Sequence, residues 1–310
     1  MLGAVACTVL VLIASMVIFV FAKAWPSFAN NGLGWFGGGD VDRQLEDIIN
    51  GPATESGFIY DIGAFNLLWG TALTTIGAVV IGLGFALFAA IFIVEFAPPR
   101  LNRILEPVVR LLAAVPSVVY GLIGVLVIAN LVRENLVTAD RKDSVNFVVQ
   151  LTGESLLVAV VILTVMITPI MIAIIVDALR AVPRSWTEGA AALGVNRWRV
   201  MWTIAVRTAR PAIIAAAVLA TARALGEAIM LSMVAGSKGF APNPFDGFTF
   251  FLEPTRPLAA TIVEYQESSN LEPVGQTLYA FAAIILISTV ALSIGGYLAK
   301  QPMRKYGVRP

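Results

Sequence analysis

The chain has 310 residues, 58% of them hydrophobic and 13% charged, with a formal net charge of +1 and a mean hydropathy of +0.84. A soluble core of this length does not need that much apolar surface, so the composition excludes an ordinary soluble domain and points to an all-α polytopic membrane protein. With no His and a single Cys, Cys7, the chain lacks the commonest general base and metal ligand and cannot form an intramolecular disulfide or a Cys-based metal cluster.

Six stretches are apolar enough to span a bilayer, at residues 2–22, 62–94, 104–132, 155–176, 212–236 and 275–299. A span needs about 20 apolar residues. The first resembles a signal peptide, but it is long for an h-region and has no basic n-region, so a true span is expected. Cys7 within it reads as a small apolar residue. The second is longer than one span, so part of it tilts or lies along the interface. The third carries Glu106 and Arg110 near its start.

Lys and Arg orient the bundle. Residues 95–103, 177–210 and 300–310 hold 12 of them, against 7 in the longer intervening segments. Both termini and the 177–210 loop are therefore expected in the cytoplasm. Trp25 suits an outer interfacial anchor, and Trp198 and Trp202 an inner one. The outer segments look irregular. Residues 27–61 contain NNGLGWFGGGD, a glycine-rich turn region, and residues 236–274 carry five prolines.

Residues 184–211 read RSWTEGAAALGVNRWRVMWTIAVRTARP. Ser185 and Glu188 have capping-box spacing, Gly194 suits the left-handed residue after a helix, and Asn196 suits an N-cap. Two short helices with a glycine bend are predicted, the second running to about Ala209, with a break or kink at Pro211. The first is small on most sides, at Gly189, Ala190, Ala191 and Ala192. It reads either as an amphipathic connector or as a surface that a partner approaches closely.

Residues 220–231, ATARALGEAIML, place two charges inside the fifth span. Counted from 212 at ~1.5 Å per residue, Arg223 lies about 16 Å deep, near the middle of a core about 30 Å thick. Glu227, four residues on, would share its helix face. Two readings stand: a structural ion pair, or a polar path in which Arg223 offers its planar fork to an oxyanion while Glu227 holds it and moderates binding. Charges inside the membrane favour the second. Glu106 and Arg110 read as a helix-end salt bridge or as groups at the inner mouth of that path. In AAVPSVVYGL, residues 113–122, Pro116 kinks the helix, and Ser117 and Tyr120 supply hydroxyl donors to the path. Pro169 is a tolerated kink.

EGAAALG with Ile204 ten residues later resembles the cytoplasmic EAA loop of ABC-importer permeases. Glu188, Ala190, Gly194 and Ile204 match that pattern. Gly189 replaces the first alanine, and Val206 and Arg207 stand where Leu-Pro is usual. With ARALGE, SMVAG, AAVPSVVYGL and EFAPPR, the chain from about Leu68 onward resembles the phosphate-specific ABC importer permeases, C-type (PstC-like). The resemblance implies a type I permease fold with a cytoplasmic coupling helix. Residues 1–26 would form a first transmembrane helix, 27–64 an extracytoplasmic loop, and 65–300 a five-helix core with its coupling loop at 177–211 and an outer loop at 236–274. Residues 301–310 would form a cytoplasmic tail. Glu188, Gly189, Ala190, Ala191, Gly194 and Arg197 would contact the ATPase, and Arg223 would serve phosphate passage with Glu227 beside it.

The implied partners are an A-type permease, a cytoplasmic ATPase dimer and an extracytoplasmic phosphate-binding protein, in lipid of a prokaryotic inner membrane; no nucleic acid is implied. The chain has no G-x-x-x-x-G-K-[ST], so ATP and Mg would bind the separate ATPase chain. No cofactor, metal or catalytic residue is expected here. On charge alone, sulfate or molybdate would suit Arg223 as well as phosphate. An intramembrane enzyme and a passive anion channel are the rivals from other classes. The first is disfavoured by the absence of His and of ligand clusters, the second by the coupling loop.

Overall fold

The computed structural model describes residues 2–50, 61–145 and 149–301, with side-chain surroundings described except at residues 2 and 143–145. The expected tail at 301–310 lies, apart from Gln301, outside the described residues. Twelve helices follow in order among the described residues: α1 (Leu2–Asn31), α2 (Val41–Asn50), α3 (Phe65–Phe96), α4 (Pro99–Ala113), α5 (Ser117–Asn135) and α6 (Ala139–Val145). The second half comprises α7 (Leu156–Arg180), α8 (Arg184–Ala192), α9 (Arg197–Leu225), α10 (Ile229–Val234), α11 (Leu258–Glu264) and α12 (Glu272–Lys300). The only pairing of strand type among these residues is an isolated bridge between Gly236 and Thr255. Six helices, α1, α3, α5, α7, α9 and α12, are long and apolar enough to cross a membrane. Helices satisfy their own backbone groups, which lipid cannot.

Several boundaries differ from the sequence reading, beginning with α1, which runs to Asn31 rather than ending at 22. The third span does not start at 104. Residues 99–113 form the separate amphipathic helix α4, without a buried side chain, and it ends where Pro116 withholds an N–H and constrains Val115. The helix that holds the fifth span begins at Arg197 and continues without a break through Pro211. It then stops at Leu225 rather than continuing to 236, with the Gly226 N–H closing on the carbonyls of Ala222 and Ala224. The second span is one helix of 32 residues, about 48 Å at ~1.5 Å per residue.

The chain divides into two compact units. The first comprises Met1–Leu73, Gly124–Ala159 and Glu227–Ser288; the second comprises Thr74–Ile123, Val160–Gly226 and Thr289–Pro310. In the first, the glycine-rich segment is not irregular filler. Trp35 is fully buried, its ring 4.8 Å from Phe28 and 5.9 Å from Phe281. Helix α2 buries Val41 and Leu45 in the same apolar cluster as Leu67, Leu258, Val274 and Leu278. Backbone bonds from Ala64 to the Trp35 carbonyl (2.8 Å) and from Phe65 to the Gly37 carbonyl (3.0 Å) tie this segment to α3. A Cβ at Gly63 would sit 2.6 Å from the Gly37 oxygen, so only glycine permits the approach.

In the second unit, α3 and α7 meet through small residues. A Cβ at Gly77 would lie 3.2 Å from Val160, and one at Gly82 would lie 2.8 Å from Met171. Small side chains allow such close helix packing in membranes. Leu163, Ile167, Met171 and Ile175 of α7 are fully buried. Phe88, Phe96, Trp198 and Trp202 form an aromatic cluster with ring separations of 5.8–6.4 Å, the grouping expected of an interfacial anchor.

Candidate functional site

Arg223 and Glu227 do not share the helical face that the sequence suggested. Arg223 lies in the last turn of α9, where unpaired carbonyls favour a cation. It is exposed and enters no ion pair among the described residues. Glu227 lies beyond the helix end, and its Oε1 accepts from the Met230 N–H at 3.3 Å, capping α10. The expectation of a shared i,i+4 face is therefore corrected, because Gly226 ends α9 between the two.

Tyr120 is buried, with 7% exposure, and its hydroxyl donates to the Leu112 carbonyl at 2.9 Å. That proton joins α5 to the end of α4 across the Pro116 break. Its oxygen remains within electrostatic range of Arg223. Ser117 opens α5 and is half-buried. Glu106 and Arg110 do not pair with each other as the sequence spacing suggested. Glu106 accepts from Arg180, and Arg110 stands 3.9 Å from Asp177. The α4 charges thus clasp the end of α7. The Arg180 guanidinium holds the Glu106 carboxyl below its ordinary range, against a smaller opposing effect of burial.

Helix α8 buries no side chain. Its N-cap is Pro183, without a side-chain bond, and Ser185 lies inside the first turn, so the capping box does not form. Gly194 adopts φ +79°, the left-handed turn predicted from sequence. Asn196 caps α9 as expected, accepting from the Trp198 N–H at 2.9 Å. Glu188, Ala191 and Arg197 line a cavity of about 690 Å³ together with Glu95, Asn102 and Arg180. Arg197 stands 4.0 Å from Glu95, an exposed pair of small energetic weight. Gly189 and Ala190 stand on α8, accessible or nearly so.

Two acid-bearing clusters in the first unit escaped sequence reasoning. Arg256, 3% exposed, donates to Asp42 of α2 and, at 3.1 Å, to Glu264 of α11. Burial pushes its pKa down, but the Asp42 and Glu264 carboxylates outweigh that and hold it above its ordinary value. Glu253, 1% exposed, accepts from the Asn243 N–H at 3.0 Å. Burial, reinforced by Asp246, pushes its pKa up to about 7 despite that bond. The one sequence signal was an arginine between prolines ahead of an apolar run, and it names no partner. Among the described residues no group of three His, Cys, Asp or Glu is placed to hold a metal.

Six helices long and apolar enough to span a membrane, one ending just after an arginine, and a loop helix that buries no side chain define a polytopic membrane protein with an exposed helix between its spans. The model of the family "Binding-protein-dependent transport system inner membrane component" matches residues 82–302, and the chain belongs to that family. It is thus a transport subunit rather than an enzyme. A probable ABC transporter permease protein, YqgH of Bacillus subtilis, is 34% identical over 78% of this chain and 72% of its own length. The phosphate transport system permease protein PstC of Pasteurella multocida is 29% identical over 96% of this chain and 89% of its own. A probable phosphate transport system permease protein PstC of Methanocaldococcus jannaschii is 31% identical over 76% and 74%. Among solved structures, the inward-facing MetNI methionine ABC transporter matches at TM-score 0.54 and 14% identity, over 77% of this chain and 94% of that one. This likeness establishes the type I ABC importer permease fold.

Proposed function

We propose that this chain is the transmembrane permease subunit of an ATP-driven importer that moves inorganic phosphate into the cytoplasm by alternating access. The observation that carries the reading is Arg223, a cation without an ion-pair partner among the described residues, in the last turn of a spanning helix. A guanidinium there offers a planar fork to an oxyanion, and a helix end inside the membrane provides an unwound path for it. The similarity to phosphate transport permeases across nearly the whole chain selects phosphate among oxyanions.

In this reading both termini and α8 face the cytoplasm of a prokaryotic cell, and the chain lies in its inner membrane. Glu188, Gly189, Ala190, Ala191, Gly194 and Arg197 seat the ATPase, which binds ATP and Mg. A related A-type permease completes the path, and an extracytoplasmic binding protein delivers phosphate to the outer segments. Motion of the ATPase dimer reaches the bundle through α8 and the Gly194 turn. Ser117 and Tyr120 flank the route. Glu106 and Arg110 keep α4 on α7 at its inner mouth, while Glu227 orders the turn beyond Arg223. No bond is made or broken in this chain.

Uptake of labelled phosphate into vesicles holding the complete complex tests this, with Arg223→Gln alongside and sulfate as competitor. ATP-dependent uptake that ignores sulfate and collapses in the assembled variant is expected. Normal uptake by the variant would remove Arg223 from the path. Uptake of sulfate instead would assign the permease to another oxyanion.

A further inference from the structure

The buried Arg256 cluster forms a connected chain within the first unit. Arg256 bridges Asp42 on α2 and Glu264 on α11. The second Asp42 oxygen accepts from the Gly239 N–H at 3.0 Å. The guanidinium also lies 5.2 Å from the centre of the Tyr265 ring, and its Nε is buried without a hydrogen-bond partner. Ser237 Oγ stands 2.7 Å from the other Glu264 oxygen and 2.8 Å from the Ser232 carbonyl at the end of α10. A hydroxyl has one proton, so Ser237 donates to one of these at a time. Helix α10 is capped at its other end by Glu227.

Ser237 holds φ +48°, the one positive φ outside glycine among the described residues. Such a conformation persists only where its surroundings enforce it. Glu264 is thus shared by a buried arginine, whose other hand holds α2, and by a strained serine, whose other option is α10.

We propose that Arg256 is a positioning residue at the centre of a relay from α2, through Glu264 and Ser237, to α10 and its cap Glu227. The inference rests on the functional reading above, in which the binding protein lands on the outer segments. When a partner engages the 32–50 segment and draws Asp42 away, the guanidinium turns wholly to Glu264. Glu264 then no longer needs the Ser237 proton, and the hydroxyl settles on the Ser232 carbonyl. The α10 end and the Glu227 turn shift their balance with it. This is a two-state element that both ends bias, which coupling between sites requires.

The test uses the complete complex in proteoliposomes and the ratio of ATPase rate with and without phosphate-loaded binding protein. In the assembled complex Asp42→Asn and Ser237→Ala are each expected to lower that ratio about threefold, Asp42→Asn by raising the basal rate, since it frees Arg256 for Glu264, and with a lower melting temperature, since the buried guanidinium loses one of its two carboxylates. The double variant should be no worse than the more severe single, since both cut one chain. Ser237→Gly relaxes the backbone without supplying the hydroxyl, so the ratio should stay low. A ratio restored by glycine would show that only the turn geometry matters and overturn the relay. So would unchanged ratios in the single variants, or additive losses in the double. If the unmodified complex shows neither stimulation nor phosphate uptake, the functional reading fails and the relay with it. Normal stimulation and uptake with unaffected variants would sink the relay alone.

Discussion

Glu253 offers a stability test that is independent of any transport assay. Its carboxyl is 1% exposed, lies outside the membrane-spanning helices, and has its pKa raised from 4.5 to about 7. Below pH 4.5 the folded and unfolded chains both keep the proton, and the site costs nothing. Between 4.5 and 7 the folded chain holds a proton that the unfolded chain releases, so stability falls as pH rises. Above 7 the buried charge carries its full cost. A gap of about 2.5 pH units at ~1.36 kcal/mol each gives about 3 kcal/mol. Glu253→Gln removes the ionisation while its amide oxygen still accepts from Asn243. In detergent, the variant should melt close to the unmodified chain at pH 5 and several degrees above it at pH 8. At roughly 2–4 °C per kcal/mol for a large domain, the full gap is on the order of 5–10 °C. A difference that stays constant from pH 5 to pH 8, or shrinks with rising pH, refutes the buried-proton reasoning.

The path and the coupling turn give further expectations. Arg223→Gln should lower phosphate uptake about 10–100-fold, the equivalent of one charge-assisted contact of ~1.5–3 kcal/mol. Arg223→Lys, which keeps the charge and loses the fork, should fall between, as read by initial uptake rates. Gly194→Val forces a branched side chain to φ +79° at a cost of ~1–2 kcal/mol or more. ATPase co-purification should fall while the spanning bundle still melts normally, and full ATPase recovery would show the turn to be dispensable. Tyr120→Phe removes the 2.9 Å bond to the Leu112 carbonyl and should cost about 1 kcal/mol of stability, measured as a lower melting temperature. Uptake should stay within about twofold. A collapse of uptake at unchanged stability would instead place the hydroxyl on the phosphate route.

Much of this molecule was legible from local chemistry. Long uncharged runs have one solution in lipid, so α1, α3, α7 and α12 follow from composition. The left-handed turn at Gly194 and the Asn196 cap follow from what those side chains do to their own backbone. Arg223 stood out because a charge inside an apolar run is expensive to place in lipid. Where reading failed, distance along the chain was the reason. Helix ends inside an apolar run depend on packing, so neither the stop of α9 at Leu225 nor the separation of α4 from α5 could be placed to the residue. Pro211 reads as a break or kink, and the helix does not break there. Glu106 and Arg110, four apart, suggested each other, whereas α7 supplied both partners from about seventy residues away. The bond from Asp42 to Arg256 spans more than two hundred residues, and no local pattern encodes it. Local propensity thus determined which segments are apolar enough to span and where the left-handed Gly194 turn lies. Only the tertiary fold decided which buried charges meet, because a charge far from water takes whichever opposite group the packing of distant segments brings to it.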